Sequence, residues 1–143
     1  MLEKIKIKTQ GHYDFIDITD RVNGEVEEVK VKEGIVIIFV TGSTAALTIM
    51  EYEEGIIQDM KEMLEKIAPE KADYHHHKRW VDHNGAAHLK AALIGPDLVV
   101  PIEDGKLALG TWQRIVLIDF DERPREREIL IKMVECGVYV FLK

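Results

Sequence analysis

The chain has 143 residues, 46% of them hydrophobic and 31% charged, with 26 acidic against 19 basic side chains and a formal net charge of −7. This length predicts one domain over residues 1–143 and is too short for a (β/α)₈ barrel, which needs about 200 residues or more. The acidic balance argues against a general nucleic-acid binder, because such binding requires clustered lysine and arginine side chains.

The single cysteine, Cys136, has no partner for an intramolecular disulfide, and one cysteine excludes a four-cysteine metal site. The first ten residues alternate charged and apolar side chains, whereas a signal peptide requires a continuous apolar stretch. No segment approaches the roughly 18 apolar residues that cross a membrane. We therefore expect a cytoplasmic protein with neither a membrane nor a nucleic acid as its partner.

Hydrophobic periodicity predicts more strands than helices. Strands are predicted over residues 2–7, 15–18, 35–40, 46–51, 97–102, 106–109, 115–120, 129–134 and 138–142. Helices are predicted over residues 20–29, 55–67 and 85–94. The first two strands are expected to pair as a hairpin around Gly11, and the Asp104-Gly105 pair predicts a second hairpin.

The arrangement of these elements favours one fold class. Residues 35–40 form a β-branched run that is apolar on both faces, which is typical of a central buried strand. The strands occur in clusters, whereas a doubly wound fold needs regular alternation of strands and helices. We therefore predict an α+β domain with mainly antiparallel pairing.

A loop rich in histidine precedes the third predicted helix. Five of the six histidines fall within fourteen residues, namely His75, His76, His77, His83 and His88. Asp82 and Asn84 lie among them, and neutral imidazole and carboxylate are the usual ligands of zinc and similar ions. The spacing matches no standard zinc motif, and the alternative interpretation is that histidines in a polar loop are simply solvated.

His88 and Lys90 are the polar exceptions on the third predicted helix, whose sequence GAAHLKAALI predicts burial on nearly every side. Asn84 is placed to cap this helix. His88 then lies in the first turn, where the positive end of the helix dipole disfavours a protonated imidazole. Such a histidine is either a satisfied core group or a site residue, and the neighbouring loop favours a site residue.

Two further segments combine polar groups at strand ends. Gly42-Ser43-Thr44 places two hydroxyls where they hold a phosphate or carboxylate, or else form a polar hairpin. Glu51 offers a carboxylate to a ligand, or adds negative charge to the start of the next helix. Residues 110–114 mix small, hydroxyl, aromatic, amide and cationic groups, a variety that is uncommon in a plain turn. This variety indicates a candidate ligand contact. The alternative is that Trp112 packs in the core or in an interface.

Four segments together resemble one known family. They are STAALTIME from Ser43, YHH from Tyr74, NGAAHLKAALIGPDLVVPIEDGKLALGTWQ from Asn84 and IDFDERPRER from Ile118. Over residues 34–134 the chain is similar to the YjbQ family, whose members are often named secondary thiamine-phosphate synthases. The resemblance implies a compact domain built on a mostly antiparallel β-sandwich with the three predicted helices. It also implies a homotrimer with polar sites near the subunit boundaries.

The resemblance and the chemistry of the residues together give candidate site residues. The catalytic candidates are His76, Asp82, Asn84 and His88. The candidates for ligand binding are Ser43, Thr44, Glu51, Lys90, Thr111 and Gln113. The candidates for binding a divalent metal, Zn or Mg, are His76, Asp82 and His88. Many family members have Pro-His-Thr-Thr where this chain has residues 41–44, and His75 or Asp82 is the candidate to replace the missing histidine.

The reaction that the resemblance implies joins a hydroxymethylpyrimidine diphosphate to a thiazole phosphate, giving thiamine phosphate and pyrophosphate. This step requires cations or hydrogen-bond donors on the leaving oxygens and exclusion of water. Few basic residues lie near the motifs, so an acidic chain needs a local metal or a cation from a neighbouring subunit. The alternatives are a metal-dependent hydrolase of a small phosphorylated or heterocyclic substrate and a non-catalytic trimeric protein that binds a small ligand.

Overall fold

Two antiparallel sheets and three α-helices make up residues 2–137, the part of the chain that the computed structural model describes. The strands are β1 (Leu2–Thr9), β2 (Asp14–Asp17), β3 (Gly34–Val40), β4 (Ala45–Met50), β5 (Asp97–Glu103), β6 (Lys106–Leu107), β7 (Arg114–Asp119) and β8 (Arg125–Glu135). The helices are α1 (Thr19–Val29), α2 (Glu54–Ile67) and α3 (Gly85–Ile94), and a 3₁₀ turn spans His75–Lys78. The predicted last strand, residues 138–142, lies outside the described residues.

The two sheets form layers, with α2 and α3 covering the smaller one. The larger sheet has the strand order β1-β8-β3-β5-β6 and the smaller has β2-β7-β4, with antiparallel neighbours throughout. In β7, Ile115 and Leu117 belong to the core between the sheets, whereas Val116 and Ile118 belong to a second core that includes residues of α2 and α3. The α+β prediction is therefore confirmed.

Strand β7 is buried on both faces, whereas the outer face of β3 is partly exposed, so one chain alone does not give residues 35–40 the predicted two-sided burial. Val36 and Ile38 of β3 are fully buried, but Phe39 on the opposite face is 39% exposed. An apolar β-branched run indicates a strand, but its composition does not reveal whether a second layer covers its outer face.

The predicted hairpin between the first two strands is also wrong. Strand β1 pairs with β8 in the larger sheet, and β2 pairs with β7 in the smaller sheet. The connecting loop changes sheets through three consecutive residues with positive φ, Gly11, His12 and Tyr13. The Asp104-Gly105 hairpin is confirmed, because both residues have positive φ and Glu103 pairs with Lys106.

Helix α3 has the predicted bounds, but only one of its faces is buried. Ala87 and Ala91 pack into the second core, whereas Leu89 and Leu93 are 52% and 59% exposed. The small side chains allow the helix to approach the smaller sheet closely, which places residue 88 at the edge of this contact. Within residues 2–137, no helix has the length and apolar character required to cross a membrane.

We expect Gly34→Ala to lower the free energy of unfolding by about 1–3 kcal/mol or more, because an added Cβ overlaps the carbonyl oxygen of Val134 on the neighbouring strand. Gly24→Ala is the matched control, since a Cβ there meets open space within α1. It should raise the free energy of unfolding by up to about 1 kcal/mol through helix propensity. Urea denaturation measures both changes, and equal stabilities would contradict the tight β3–β8 contact.

Candidate functional site

Two histidine rings face each other between the 3₁₀ turn and α3. The ring centroids of His76 and His88 lie 4.8 Å apart, with an interplanar angle of 62°. Nε2 of His76 lies 3.1 Å from Oδ1 of Asn84, and because an amide oxygen only accepts, His76 donates its Nε2–H. A neutral His76 therefore keeps its lone pair on Nδ1. Asn84 is buried, so this hydrogen bond fixes the orientation of the His76 ring.

The loop that carries His76 is attached to α3 through His77. The backbone N–H of Gly85, the first residue of the helix, donates to Nε2 of His77 at 3.0 Å. His77 also packs edge-on against His83, with ring centroids 5.1 Å apart. Asn84 stands at the predicted cap position, but its side chain makes no cap hydrogen bond. Asn84 is therefore the N-cap residue, as predicted, but its side chain holds His76 and does not cap the helix.

His88 is half-buried, and its pKa is lower than the ordinary histidine value. Burial is the main cause, and the neighbouring His76 lowers the pKa further. A hydrogen bond to the backbone of Ser43 and the carboxylates of Asp121 and Asp82 act in the opposite direction without reversing the shift. His88 is therefore neutral at pH 7. One ring nitrogen donates to the backbone carbonyl, and the other is left as an acceptor.

The histidine pair borders open space on two sides. One depression, of about 360 Å³, lies between the 42–45 loop and α3 and is lined by Gly42, Ser43 and His88. A second, of about 230 Å³, lies between the 3₁₀ turn and α3 and is lined by His75, His76 and His88. A small substrate can therefore reach His88 from either side of α3.

The predicted metal ligands His76, Asp82 and His88 do not form a metal centre in this arrangement. Across residues 2–137, no three histidine, cysteine, aspartate or glutamate side chains are placed to hold a metal ion. Asn84 engages one nitrogen of His76, and Asp82 is exposed. These donors do not fit a zinc site with three ligands from one chain.

Thr44 belongs to a buried polar network that links the two sheets. Arg127 of β8 donates from Nε and Nη2 to the two carboxylate oxygens of Asp119 of β7, at 2.7 and 2.8 Å. Nη2 also donates to the Thr44 hydroxyl at 2.7 Å, and that hydroxyl donates to Asp121 at 3.0 Å. The hydroxyl of Thr44 is therefore committed to the fold, whereas Ser43 beside it is exposed.

Asp119, Asp121 and Arg127 are not among the predicted site residues, although their segment, IDFDERPRER, is one of the four that resemble the YjbQ family. A signal for Arg127 does exist, because alternate residues of a strand share one face. Arg127 precedes Ile129 and Ile131 by two and four positions, and both isoleucines are fully buried. The same periodicity that identifies the core face of β8 thus places a guanidinium on it.

Lys90, a predicted ligand contact, does not face the histidine pair. It follows His88 by two residues, which is about 200° around a helix. Its side chain is 1% exposed, and Nζ lies 3.2 Å from Glu65 of α2 and 4.2 Å from the centroid of the Tyr13 ring. The hydroxyl of Tyr13 donates to Glu65 at 2.7 Å, and burial together with this contact raises the pKa of Tyr13. Lys90 therefore attaches α3 to α2.

The other predicted ligand contacts lie away from the histidine pair. A depression of about 310 Å³ has a lining that includes Glu51, Tyr52, Thr111, Trp112 and Arg114. Trp112 is 72% exposed there. Gln113 turns back on its own bend, where its Oε1 accepts from the backbone N–H of Gly110 at 2.8 Å. Within the described chain, these residues form a second surface region separate from His76 and His88.

We expect the pKa of His88, followed by NMR, to lie below the ordinary histidine value of about 6.5. His76→Ala should raise it, because the neighbouring His76 is one of the two causes that lower the pKa of His88. His12→Ala is the control and should leave it unchanged, since His12 instead lies 3.6 Å from Glu70. A His88 pKa at or above the ordinary value in the unsubstituted protein would contradict this description.

Known proteins are similar to this chain in both sequence and fold. Residues 3–136 match the family model described as UPF0047 protein YjbQ-like. A UPF0047 protein of Archaeoglobus fulgidus is 43% identical over 129 residues, which cover 90% of this chain and 98% of the relative.

Two solved structures cover 94% of this chain, and the match covers 98% of each of them. A YbjQ-like protein of unknown function from Sulfolobus solfataricus has a TM-score of 0.85 at 33% identity. A hypothetical protein from Aeropyrum pernix has a TM-score of 0.87 at 29% identity. From the family match, the sequence identity and the shared fold it follows that this chain belongs to the UPF0047/YjbQ family.

Proposed function

We propose that the protein is a transferase of the thiamine-phosphate synthase type. In this reaction the bond between the pyrimidine methylene carbon and the diphosphate oxygen breaks, and pyrophosphate leaves with the bonding electrons. The thiazole nitrogen then supplies the electron pair of the new carbon–nitrogen bond. The observation that carries the proposal is the pair of His76 and His88, held by Asn84 and the backbone of Ser43 beside open space.

Each histidine of the pair has one nitrogen committed to the protein and one left for a substrate. When His76 is protonated, its Nδ1–H is a donor for the leaving oxygen, where negative charge develops. The neutral ring of His88 offers an acceptor for an amino group on the pyrimidine. Asn84 acts as a positioning residue, since it holds the His76 ring in one orientation.

The positions of the predicted metal ligands His76, Asp82 and His88 argue against the alternative of a metal-dependent hydrolase. Such an enzyme needs three protein ligands with an open fourth position, and the described part of the chain gathers no such set. A divalent ion such as Mg²⁺ commonly takes most of its ligands from substrate phosphates and water. The arrangement of His76, Asp82 and His88 therefore supports the transferase better than a hydrolase with a resident zinc ion.

The protein is also proposed to assemble as a homotrimer through the outer face of the larger sheet. This face carries exposed apolar side chains on β3, β5 and β8, namely Phe39, Val99 and Val134. Contiguous exposed apolar surface of this kind marks interaction sites. Strand β3 carries apolar side chains on both of its faces, as the β-branched run predicts. Within one chain, no described residues form a layer over its outer face.

Val99→Asp should shift the molar mass, measured by sedimentation equilibrium, from three chains to one, because a carboxylate on the sheet face cannot be desolvated without a partner. Val81→Asp is the matched control, since Val81 is 93% exposed and lies in the loop outside the sheets. A trimer that survives Val99→Asp but not Val81→Asp would contradict the assignment of the interface.

His88→Ala should lower kcat/KM for thiamine-phosphate formation by about a hundredfold, because the pyrimidine loses the acceptor that positions its methylene carbon for the displacement. His12→Ala is the control and should retain full activity, because His12 lies outside the pair of His76 and His88. The assay supplies hydroxymethylpyrimidine diphosphate and thiazole phosphate to protein of unchanged melting temperature. Unchanged synthesis by a folded His88→Ala variant would contradict the proposed function.

A further inference from the structure

We infer that Arg127 and the loop of residues 41–44 form the subsite that binds a phosphate group of the substrate. This inference deepens the proposed function, on which it rests for the identity of the substrate. The subsite takes a phosphate or diphosphate anion through one guanidinium nitrogen, two backbone N–H groups and the hydroxyl of Ser43.

Arg127 has one guanidinium nitrogen that the fold does not use. Nε and Nη2 are engaged by Asp119 and Thr44, whereas Nη1 makes no hydrogen bond within residues 2–137. Every buried side-chain nitrogen or oxygen in that range does have a hydrogen-bond partner. The unpaired Nη1 must therefore reach solvent, although the side chain as a whole is only 8% exposed.

Gly42 leaves this nitrogen uncovered. A Cβ at position 42 would lie 2.9 Å from Nη1 of Arg127 and 3.8 Å from its Cζ. The φ angle of Gly42 is not in the left-handed region, so the backbone does not demand glycine there. Because Gly42 has no side chain, an anion can approach Nη1 of Arg127 across the loop.

The loop adds further donors that the described chain does not use. Among residues 2–137, no oxygen accepts from the backbone N–H groups of Gly42 and Ser43, and the exposed hydroxyl of Ser43 makes no hydrogen bond. Guanidinium groups and adjacent free backbone N–H groups are the usual ligands of phosphate oxygens. Gly42 and Ser43 line the same depression as His88, so the loop lies next to the proposed catalytic pair.

The charges around the subsite are balanced before an anion binds. Asp119 is paired with Arg127, and Asp121 is paired with Arg125, with shortest nitrogen–oxygen distances of 2.7 and 2.8 Å. The second contact of Arg127, to Asp121, is longer at 3.7 Å. An incoming anion thus meets unused donors in a neutral cluster. Arg127 thus offers a diphosphate a charge-assisted N–H donor, although the cluster carries no net positive charge. Lys90 cannot fill this role from its contact with Glu65.

The test is calorimetric binding of inorganic pyrophosphate in a buffer free of phosphate. Gly42→Ala should weaken binding by at least about tenfold, because the new Cβ covers Nη1 and removes a charge-assisted hydrogen bond. Ser43→Ala should weaken it several-fold through loss of one hydroxyl. Gly24→Ala, where a Cβ meets open space, is the matched control and should bind as the unsubstituted protein does.

The outcomes separate this inference from the proposed function. His88→Ala should retain pyrophosphate binding while it loses synthesis, because His88 reaches the loop only through the carbonyl of Ser43. Binding that depends on Gly42 in a protein without synthase activity would support the subsite and contradict the function. Absence of pyrophosphate binding, or equal binding by folded Gly42→Ala and Ser43→Ala variants, would overturn the inference. If Gly42→Ala does not fold, Ser43→Ala and the NMR shifts of the two loop amides decide the question.

Discussion

The ion pair between Asp119 and Arg127 is the constraint on which the rest of the structure depends. It joins β7 of the smaller sheet to β8 of the larger sheet inside the core, where unpaired charges are very costly. The pair is stable there because every one of its polar atoms that is shielded from solvent has a hydrogen-bond partner. The hydroxyls of Thr9 and Thr44 and the backbone N–H of Asp121 complete the contacts. Loss of either charged partner would cost about 3–5 kcal/mol.

The same pair determines where the loop before β4 lies. Thr44 is held between Arg127 and Asp121, and its carbonyl accepts from the backbone N–H of Phe120. The chain just before Thr44 must therefore cross over the guanidinium, and Gly42 fits closely above it. Arg127, which is needed for stability, thus also has one guanidinium nitrogen that no residue between 2 and 137 engages. The same side chain therefore serves both the fold and the proposed phosphate subsite.

The pair of His76 and His88 is attached to the smaller sheet through helix α3. The alanines of α3 pack on the smaller sheet, and the helix presents His88 at the edge of that contact. The 3₁₀ turn brings His76 to His88 because His77 accepts from the helix N-terminus and Asn84 holds the His76 ring. The site is therefore built from segments that are anchored individually, which is how a polar loop without regular structure can hold a fixed geometry.

Local patterns predicted some of this structure well. Helix α3 and the Asp104-Gly105 hairpin follow from periodicity and turn chemistry, and both are confirmed. Pairing between distant strands is not encoded locally, so the hairpin expected around Gly11 is wrong. Of the candidate site residues, the histidines and Asn84 could be found from their clustering. The position of Lys90 against Glu65 and the role of Arg127 depend on contacts between elements far apart in sequence.

A crystal structure of the protein with hydroxymethylpyrimidine diphosphate, without the thiazole partner, would show whether the loop of residues 41–44 and the histidine pair bind one substrate together. We expect the diphosphate on Nη1 of Arg127 and the N–H groups of Gly42 and Ser43, with the pyrimidine ring beside His76 and His88. A ligand bound only in the depression of Tyr52 and Trp112, with no contact to Arg127 or to either histidine, would contradict it.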